Sequence, residues 1–233
     1  MTDMNAQSCS RLRRYILLLA SLPVNALGIV LVTIASLGTS PISSLPYVIS
    51  KLSPLSFGLL TWILNIIFVG IQAVFIKGTH IPEKKNYILW QIPILTVFSV
   101  FVDIWMMLFE EMHSYTYLSH IGVMVIGCLC LVVGISWSVK ANVAMNPGEG
   151  IIKVLSERIH ISFGWTKFLV DSSLVVISGA LSWIYFKEIV GLREGTVVAA
   201  FLVGPLVRFT YPVWNFLEKW IADSSTVKDP MMK

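Results

Sequence analysis

The sequence contains one internal repeat: residues 28–65 return, without a gap, as residues 134–171. Nine identical residues share one offset (134 − 28 = 106), and Asn65 stands where the second copy has Asp171. A duplication of this length predicts a molecule made of two copies of one structural unit. The identical residues of the first copy are Gly28, Ile29, Ala35, Pro41, Val48, Ser50, Ser56, Phe57 and Gly58.

The composition is that of a membrane protein. Apolar residues make up 56% of the chain and charged residues only 13%, with a mean hydropathy of +0.79. Soluble domains carry about 25% charged residues. We therefore expect an all-α membrane protein with six transmembrane helices, preceded by a cytoplasmic segment at 1–14 and followed by a cytoplasmic tail at 218–233. The predicted spans are 15–37, 58–76, 87–109, 118–140, 164–186 and 195–217.

Each copy of the repeat holds three predicted spans, repeat one over about 15–110 and repeat two over about 118–217. Because three is an odd number, two fused copies must lie in the bilayer with opposite orientations. Many secondary transporters have this construction. The predicted architecture is therefore two inverted three-helix repeats.

Lysine and arginine are distributed unevenly between the predicted loops. Only Lys51, Lys187 and Arg193 fall on one side of the membrane, and the larger share falls on the other side, with both termini. By the positive-inside rule, both termini are cytoplasmic. The formal charge of +4 is not gathered on one face with interleaved aromatic residues, so a nucleic-acid partner is not expected.

In both copies the first span is followed by a polar residue and a proline, Ser40-Pro41 and Asn146-Pro147. A polar N-cap residue before proline at the first helical position predicts the start of a new helix. Each of these helices has about 10 residues, which is too short to cross the bilayer.

The location of these short segments, 41–55 and 147–161, is left open by the sequence. Their apolar faces fit helices that lie on the membrane surface. Alternatively, they re-enter the membrane, with their N-termini facing an anionic group of a ligand. In the first copy, Pro46 and Pro54 favour a loop with one short turn.

Three ionisable residues lie deep in predicted spans, where a charge is costly and commonly functional: Asp103, Asp171 and Arg208. Their depths, at 1.5 Å per residue, predict that Asp171 pairs with Arg208 and that Asp103 pairs with Asn65. The first pair is ionic, so Asp171→Ala is expected to destabilise the fold more than Asp103→Asn. Asp103 has no cation beside it and is the candidate for a coupling proton, unless both pairs only fix helix register.

Other polar residues complete the set of candidates. Lys140 and Lys167 lie near cytoplasmic helix ends and are expected to act as interfacial anchors. Asn25 lies near the middle of the first span and is expected to line a cavity. The candidate residues along a substrate path are Asn25, Asn65, Asp103, Asn146, Glu149, Asp171 and Arg208.

The sequence offers no catalytic or metal centre. The four histidines and three cysteines form no cluster at metal-ligand spacing, and no nucleophile motif, P-loop or dinucleotide fingerprint occurs in a supporting context. We therefore expect a protein that is not an enzyme and that carries neither a cofactor nor a metal ion. Active transport would then draw on an ion gradient or on a partner ATPase.

Several short motifs resemble the YczE/YitT-like bacterial integral membrane proteins. They are Asn-Pro-Gly-Glu-Gly at 146–150, Ser-Phe-Gly at 162–164, Arg-Glu-Gly-Thr at 193–196 and Gly-Pro-Leu at 204–206. Asp103 also resembles an acidic position of that group. The resemblance implies a bacterial inner membrane location and carries over no substrate-binding or catalytic residue.

These observations favour a small-solute transporter whose two repeats alternate access to a site near the midplane, with Asp103 as the proton-coupling residue. One alternative is a membrane substrate-binding subunit of an ATP-driven vitamin-type importer. Another is a non-transporting accessory membrane protein. The expected partners are the lipid bilayer and an unidentified small molecule, and an ATPase module or a homodimer is left open.

Overall fold

The computed structural model describes residues 2–77, 84–109, 116–141, 143, 146–193, 195, 196, 203, 206, 207, 209 and 211–214. Over these residues the protein is helical and contains no β-strand. A short 3-10 helix at Tyr211–Trp214 follows the α-helices. The α-helices are α1 (Thr2–Ile34), α2 (Pro41–Leu52), α3 (Phe57–Phe75), α4 (Lys84–Leu108), α5 (Tyr117–Ala141), α6 (Pro147–Ile159) and α7 (Phe163–Phe186).

Five of the described helices are long and apolar enough to cross a membrane, which identifies a membrane protein. Each lies within a few residues of a predicted span, so five of the six predicted helices are confirmed. The sixth predicted span, 195–217, falls largely outside the described residues. The apolar stretches are Leu12–Ile34, Phe57–Phe75, Ile88–Leu108, Tyr117–Ala141 and Phe163–Phe186.

Helices α1 and α5 pack closely and run antiparallel. A methyl group added to Gly28 would lie 2.7 Å from the backbone nitrogen of Leu131, and one added to Gly134 would lie 2.8 Å from the Cα of Asn25. Residue numbers therefore rise along α1 as they fall along α5. Small residues allow such an approach of two backbones in lipid, where helices have no hydrophobic drive to associate. This pair joins the first span of each copy.

Helices α2 and α6 are the short helices predicted after spans one and four, and each begins at a proline. The expectation of a loop with one short turn in the first copy is wrong, because α2 is continuous over 12 residues with Pro46 inside it. Pro46 removes one helical hydrogen bond. Ser43, Ser44, Pro46 and Val48 are all buried, however, so tertiary packing outweighs the low helix propensity.

Each short helix packs against a long helix of its own copy and a long helix of the other copy, because α2 and α6 both contact α3 and α7. Apolar side chains fill the space between these four helices. The short helices therefore lie among the long ones rather than across their ends. The buried members of this cluster are Phe68, Ile151, Ile152 and Leu174, and Ile42, Leu45, Leu64, Ile71, Leu155 and Val170 pack around them.

The turn between α1 and α2 is fixed to residues of the second copy. The Thr39 N–H donates to the Gly191 carbonyl at 3.0 Å, and the Gly195 N–H donates to the Leu37 carbonyl at 2.7 Å. Gly38 lies in this turn with φ of 122°, a backbone conformation that favours glycine. The break after the first span is therefore held in place by the loop that follows α7.

Candidate functional site

The N-terminal ends of α2 and α6 meet inside the bundle. A methyl group added to Gly148 would overlap the side chain of Ile42. These two residues are equivalent in the repeat (42 + 106 = 148), so each copy contributes the same position to the contact. We call residues 40–44 and 146–150 the junction. No pair of sequence motifs predicted that these two helix ends touch.

Both junction helices begin at a polar residue with an extended backbone. Ser40 has φ −65° and ψ 147°, Asn146 has φ −58° and ψ 137°, and neither side chain caps its helix. The Asn146 carbonyl accepts hydrogen bonds from the N–H groups of Glu149 at 3.0 Å and Gly150 at 2.8 Å. Because a helix N-terminus carries about half a positive charge, the junction brings two partly positive helix ends together.

A buried pair of glutamines fixes the beginning of α6. The side-chain amides of Gln72 on α3 and Gln91 on α4 exchange two hydrogen bonds, at 3.1 and 3.0 Å. The Gln72 Nε2 also donates to the carbonyl of Pro147 at 3.1 Å. Both glutamines are fully buried. In the sequence, a glutamine lies inside each of two apolar runs. The candidate residues predicted from the sequence were ionisable residues and asparagines, so these two glutamines were not among them.

The corresponding attachment of α2 uses two serines. Ser178 on α7 donates to the hydroxyl oxygen of Ser44 on α2 at 3.0 Å. In the repeat, this pair is equivalent to Gln72 and Gly150 (178 − 106 = 72; 44 + 106 = 150). A methyl group added to Gly150 would lie 2.6 Å from the Gln72 Oε1, so the equivalent positions are also neighbours. The same pair of positions is thus in contact in both copies, although the hydrogen bond reaches Pro147 in α6 and Ser44 in α2.

Glu149 occupies the first turn of α6 and is partly buried. Burial raises the pKa of its carboxyl group, and the positive charge of Lys167 on α7 acts in the opposite direction. Among the described residues, no group donates a hydrogen bond to this carboxylate. Glu149 is therefore an acidic side chain at the junction with a nearby cation and, within the described ranges, no hydrogen-bonding partner.

Lys167 forms an ion pair with Asp171, one turn along α7, where its Nζ lies 2.9 Å from Oδ2. The other oxygen, Asp171 Oδ1, is buried and has no hydrogen-bond partner among the residues described. The prediction that Lys167 is only an interfacial anchor therefore missed its ion pair. Arg208, the predicted partner of Asp171, lies outside the described residues, so that pairing stays a prediction.

Asp103 on α4 binds the beginning of α3. Its Oδ2 accepts a hydrogen bond from the Ser56 hydroxyl at 2.6 Å, and its Oδ1 accepts one from the Gly58 N–H at 2.6 Å. The predicted pair of Asp103 with Asn65 is wrong. Asn65 lies about 10 Å further along α3 and donates to the Thr61 carbonyl at 2.8 Å. Open N–H groups at a helix start are strong partners for a carboxylate, and depth alone did not reveal them.

The remaining candidates lie apart from the junction or at its edge. Asn25 is buried in the α1–α5 interface against Gly134. Lys140 is only 5% exposed, so the expectation that it extends to the membrane surface is wrong. Asn146 and Glu149 are the predicted residues at the start of α6, and Asp171 lies in the third turn of α7.

Within the described ranges, no group of three or more histidine, cysteine, aspartate or glutamate side chains could hold a metal ion. A groove of about 450 Å³ lies between α7 and the loop that follows it, and shares no residue with the junction. The junction is therefore a site where polar groups from both copies converge. The groove is lined by Val175, Gly179, Trp183, Ile189, Leu192, Arg193 and Thr196.

Comparison with known proteins gives one match. The family of unknown function DUF6198 matches residues 12–212, which contain the five long apolar stretches and both short helices. No curated protein and no solved structure matches the chain. The match names no substrate, and the resemblance to YczE/YitT-like proteins stays a prediction.

Proposed function

We propose that this chain, which belongs to the DUF6198 family of unknown function, is a small-solute membrane transporter made of two inverted three-helix repeats. The observation that carries the proposal is the contact of Ile42 with Gly148, where equivalent residues of the two copies touch at the ends of two short helices. Transporters of this construction bind their solute at the repeat interface, among the ends of discontinuous helices.

Reciprocal contacts support a two-fold relation between the copies. Gly28 packs against Leu131, and Gly134 packs against Asn25. The second contact is the first one with the copies exchanged (28 + 106 = 134; 131 − 106 = 25). When residue i of one unit meets residue j of the other and j meets i, the interface is that of a two-fold axis.

The direction of this axis follows from the antiparallel packing of α1 and α5. An axis that exchanges two antiparallel helices is perpendicular to both. Since both helices are long enough to cross the bilayer, the axis would lie in the membrane plane. The two repeats would then be inverted, and the junction would lie near the midplane because equivalent residues 42 and 148 meet there.

The proposed solute path passes the junction. Movement of one repeat against the other would open the space around the two helix starts to alternate sides of the membrane. Backbone N–H groups of the first turns and the side chains of Ser40, Asn146 and Glu149 supply polar contacts there. Both termini would be cytoplasmic, in a bacterial inner membrane, as the charge distribution and the YczE/YitT resemblance favour.

A reversible lock on the junction tests this function. Ile42→Cys and Gly148→Cys are introduced together after Cys9, Cys128 and Cys130 have been replaced by alanine, so that an oxidant can join α2 to α6. The solute is first identified by screening metabolites for an increase in the melting temperature of the purified protein. In sealed vesicles we expect the disulfide to reduce uptake at least tenfold and a reductant to restore it.

Each single-cysteine variant is the matched control and should transport equally with and without oxidant. Uptake that continues undiminished through the locked protein would contradict alternating access at the junction. Solute binding without uptake, reversed by adding an ATPase module, would instead favour the substrate-binding subunit. The absence of any bound solute would favour the accessory protein.

A further inference from the structure

We propose that Glu149 is the proton-binding residue of the junction and that its protonation accompanies movement of the first turn of α6. This inference rests on the proposed transporter function and assigns the coupled ion and its site. It replaces Asp103, the residue that the sequence indicated for this role.

Glu149 lies where a movement of one repeat against the other would change its surroundings. Gly148, directly before it, touches Ile42 of α2. Gly150, directly after it, lies against the amide of Gln72 on α3. The backbone on either side of the carboxylate is therefore in contact with the first copy. A shift between the copies must change how much water and protein surround Glu149.

The charged groups near Glu149 are Lys167, Asp171 and Lys153, and within the described residues none of them forms an ion pair with its carboxylate. From α7, Lys167 faces the turn, but its Nζ already pairs with Asp171 at 2.9 Å. On α6 itself, Lys153 follows one helical turn later. The side chains that α2 and α3 place against this turn, those of Ile42 and Gln72, carry no charge. The Lys167 ammonium group is thus near two carboxylates, that of Asp171, with which it pairs, and that of Glu149.

Asp103 has a different task. Both of its oxygens accept hydrogen bonds from the start of α3, from the Ser56 hydroxyl and the Gly58 N–H. A proton on Asp103 would displace one of these donors and release the helix start. Among the residues that the structure describes, Glu149 holds no such contact, so its protonation breaks no hydrogen bond there. A hydronium ion of the solvent transfers its proton to one carboxylate oxygen: its O–H bond breaks, the carboxyl O–H bond forms and water is left, while Lys167 stays with Asp171.

Infrared difference spectroscopy of the purified protein in lipid tests this site without any solute. As the pH is lowered, the wild type should gain a carbonyl stretching band at higher frequency than the bands of solvated carboxyl groups, because the protonated Glu149 has no hydrogen-bond partner among the described residues. Glu149→Gln should lose this band, and Glu149→Asp should keep it at a shifted frequency. Asp103→Asn and Glu188→Gln, which remove a helix-capping carboxylate and an exposed carboxylate, should keep the wild-type band.

A band that persists in Glu149→Gln, or that disappears in Asp103→Asn, would overturn the assignment. Because Glu149→Asp preserves the acid, it separates loss of the titrating group from loss of the fold. The junction lock tests transport independently of this measurement. Failure of the lock with a Glu149 band present would reject the transporter and retain a proton-binding residue, whereas the reverse pattern would reject only Glu149.

Discussion

Asp103 and Gln72 each extend from one long helix to the first turn of a different helix. The carboxylate of Asp103 accepts from the start of α3, and the amide of Gln72 donates to the Pro147 carbonyl at the start of α6. In lipid, a backbone group that lacks an intrahelical partner cannot bond to water, so a side chain must supply the partner. The Asp103 carboxylate does so for the open N–H of Gly58, whereas the Pro147 carbonyl also accepts within α6, and Gln72 adds a second bond that fixes this helix in place.

This arrangement reverses the stability order that the sequence predicts. Asp103→Ala should remove two hydrogen bonds at a helix start, a loss of about 1–2 kcal/mol in the free energy of unfolding. Asp171→Ala should cost less, because its partner Lys167 is 45% exposed and the two form an i, i+4 pair. Thermal melting of both variants in detergent measures this difference. A lower melting temperature for Asp171→Ala would support the sequence-based pairing with Arg208 instead.

Glu149 should make the stability depend on pH with a definite sign. Its pKa is raised above the ordinary 4.5 in the folded protein, mainly by burial. The folded state then binds the proton more tightly than the unfolded state, so this contribution is present at low pH and is lost as the pH rises through the raised pKa. Relative to Glu149→Gln, the wild-type melting temperature should therefore fall as the pH rises above 4.5. Parallel melting curves across this range would contradict the shift.

At the scale of elements, the short helices α2 and α6 each contact both copies, and the first turn of each is hydrogen-bonded to a long helix of the other copy. The attachment of α6 uses three hydrogen bonds of a buried glutamine pair, whereas the attachment of α2 uses one bond between serines. Buried amides in lipid are costly unless both are paired. We therefore expect the effects of replacing the two glutamines on the free energy of unfolding to be coupled.

A double-mutant cycle tests this coupling between Gln72 and Gln91. Gln72→Met and Gln91→Met singly each leave one buried amide without its partner, which should cost about 1–3 kcal/mol in the free energy of unfolding. The double variant should cost less than the sum, because it removes both polar groups and keeps similar volume. Denaturant titrations of the four proteins give the coupling free energy. Strictly additive costs would mean that the two amides do not interact.

Elements were predictable from the sequence where composition alone decides them. Apolar runs located five long helices, and Ser40-Pro41 and Asn146-Pro147 marked the starts of both short helices. Continuity of α2 through Pro46 was not predictable, because it depends on burial between α3 and α7. The prediction of the Asp103 partner was wrong for a similar reason. The position of Asp103 along its helix gives its depth in the membrane, but it does not show that the start of α3 faces it.

At the scale of the whole molecule, the proposed transporter depends on a two-fold axis in the membrane plane. Three pairs of equivalent contacts support it: α1 with α5, each short helix with a long helix of the other copy, and the two helix starts with each other. An axis along the membrane normal would leave α1 and α5 parallel. Their antiparallel packing therefore favours inverted repeats, a construction that many alternating-access transporters share.

Labelling of one pair of equivalent residues tests this claim most directly. Leu52 and Arg158 occupy the same repeat position (52 + 106 = 158) and are both exposed near the ends of α2 and α6. Leu52→Cys and Arg158→Cys are made separately in a cysteine-free chain and treated with a membrane-impermeant maleimide in right-side-out and inside-out vesicles. Inverted repeats predict that the two cysteines react from opposite sides of the membrane. Reaction of both from the same side would contradict the account.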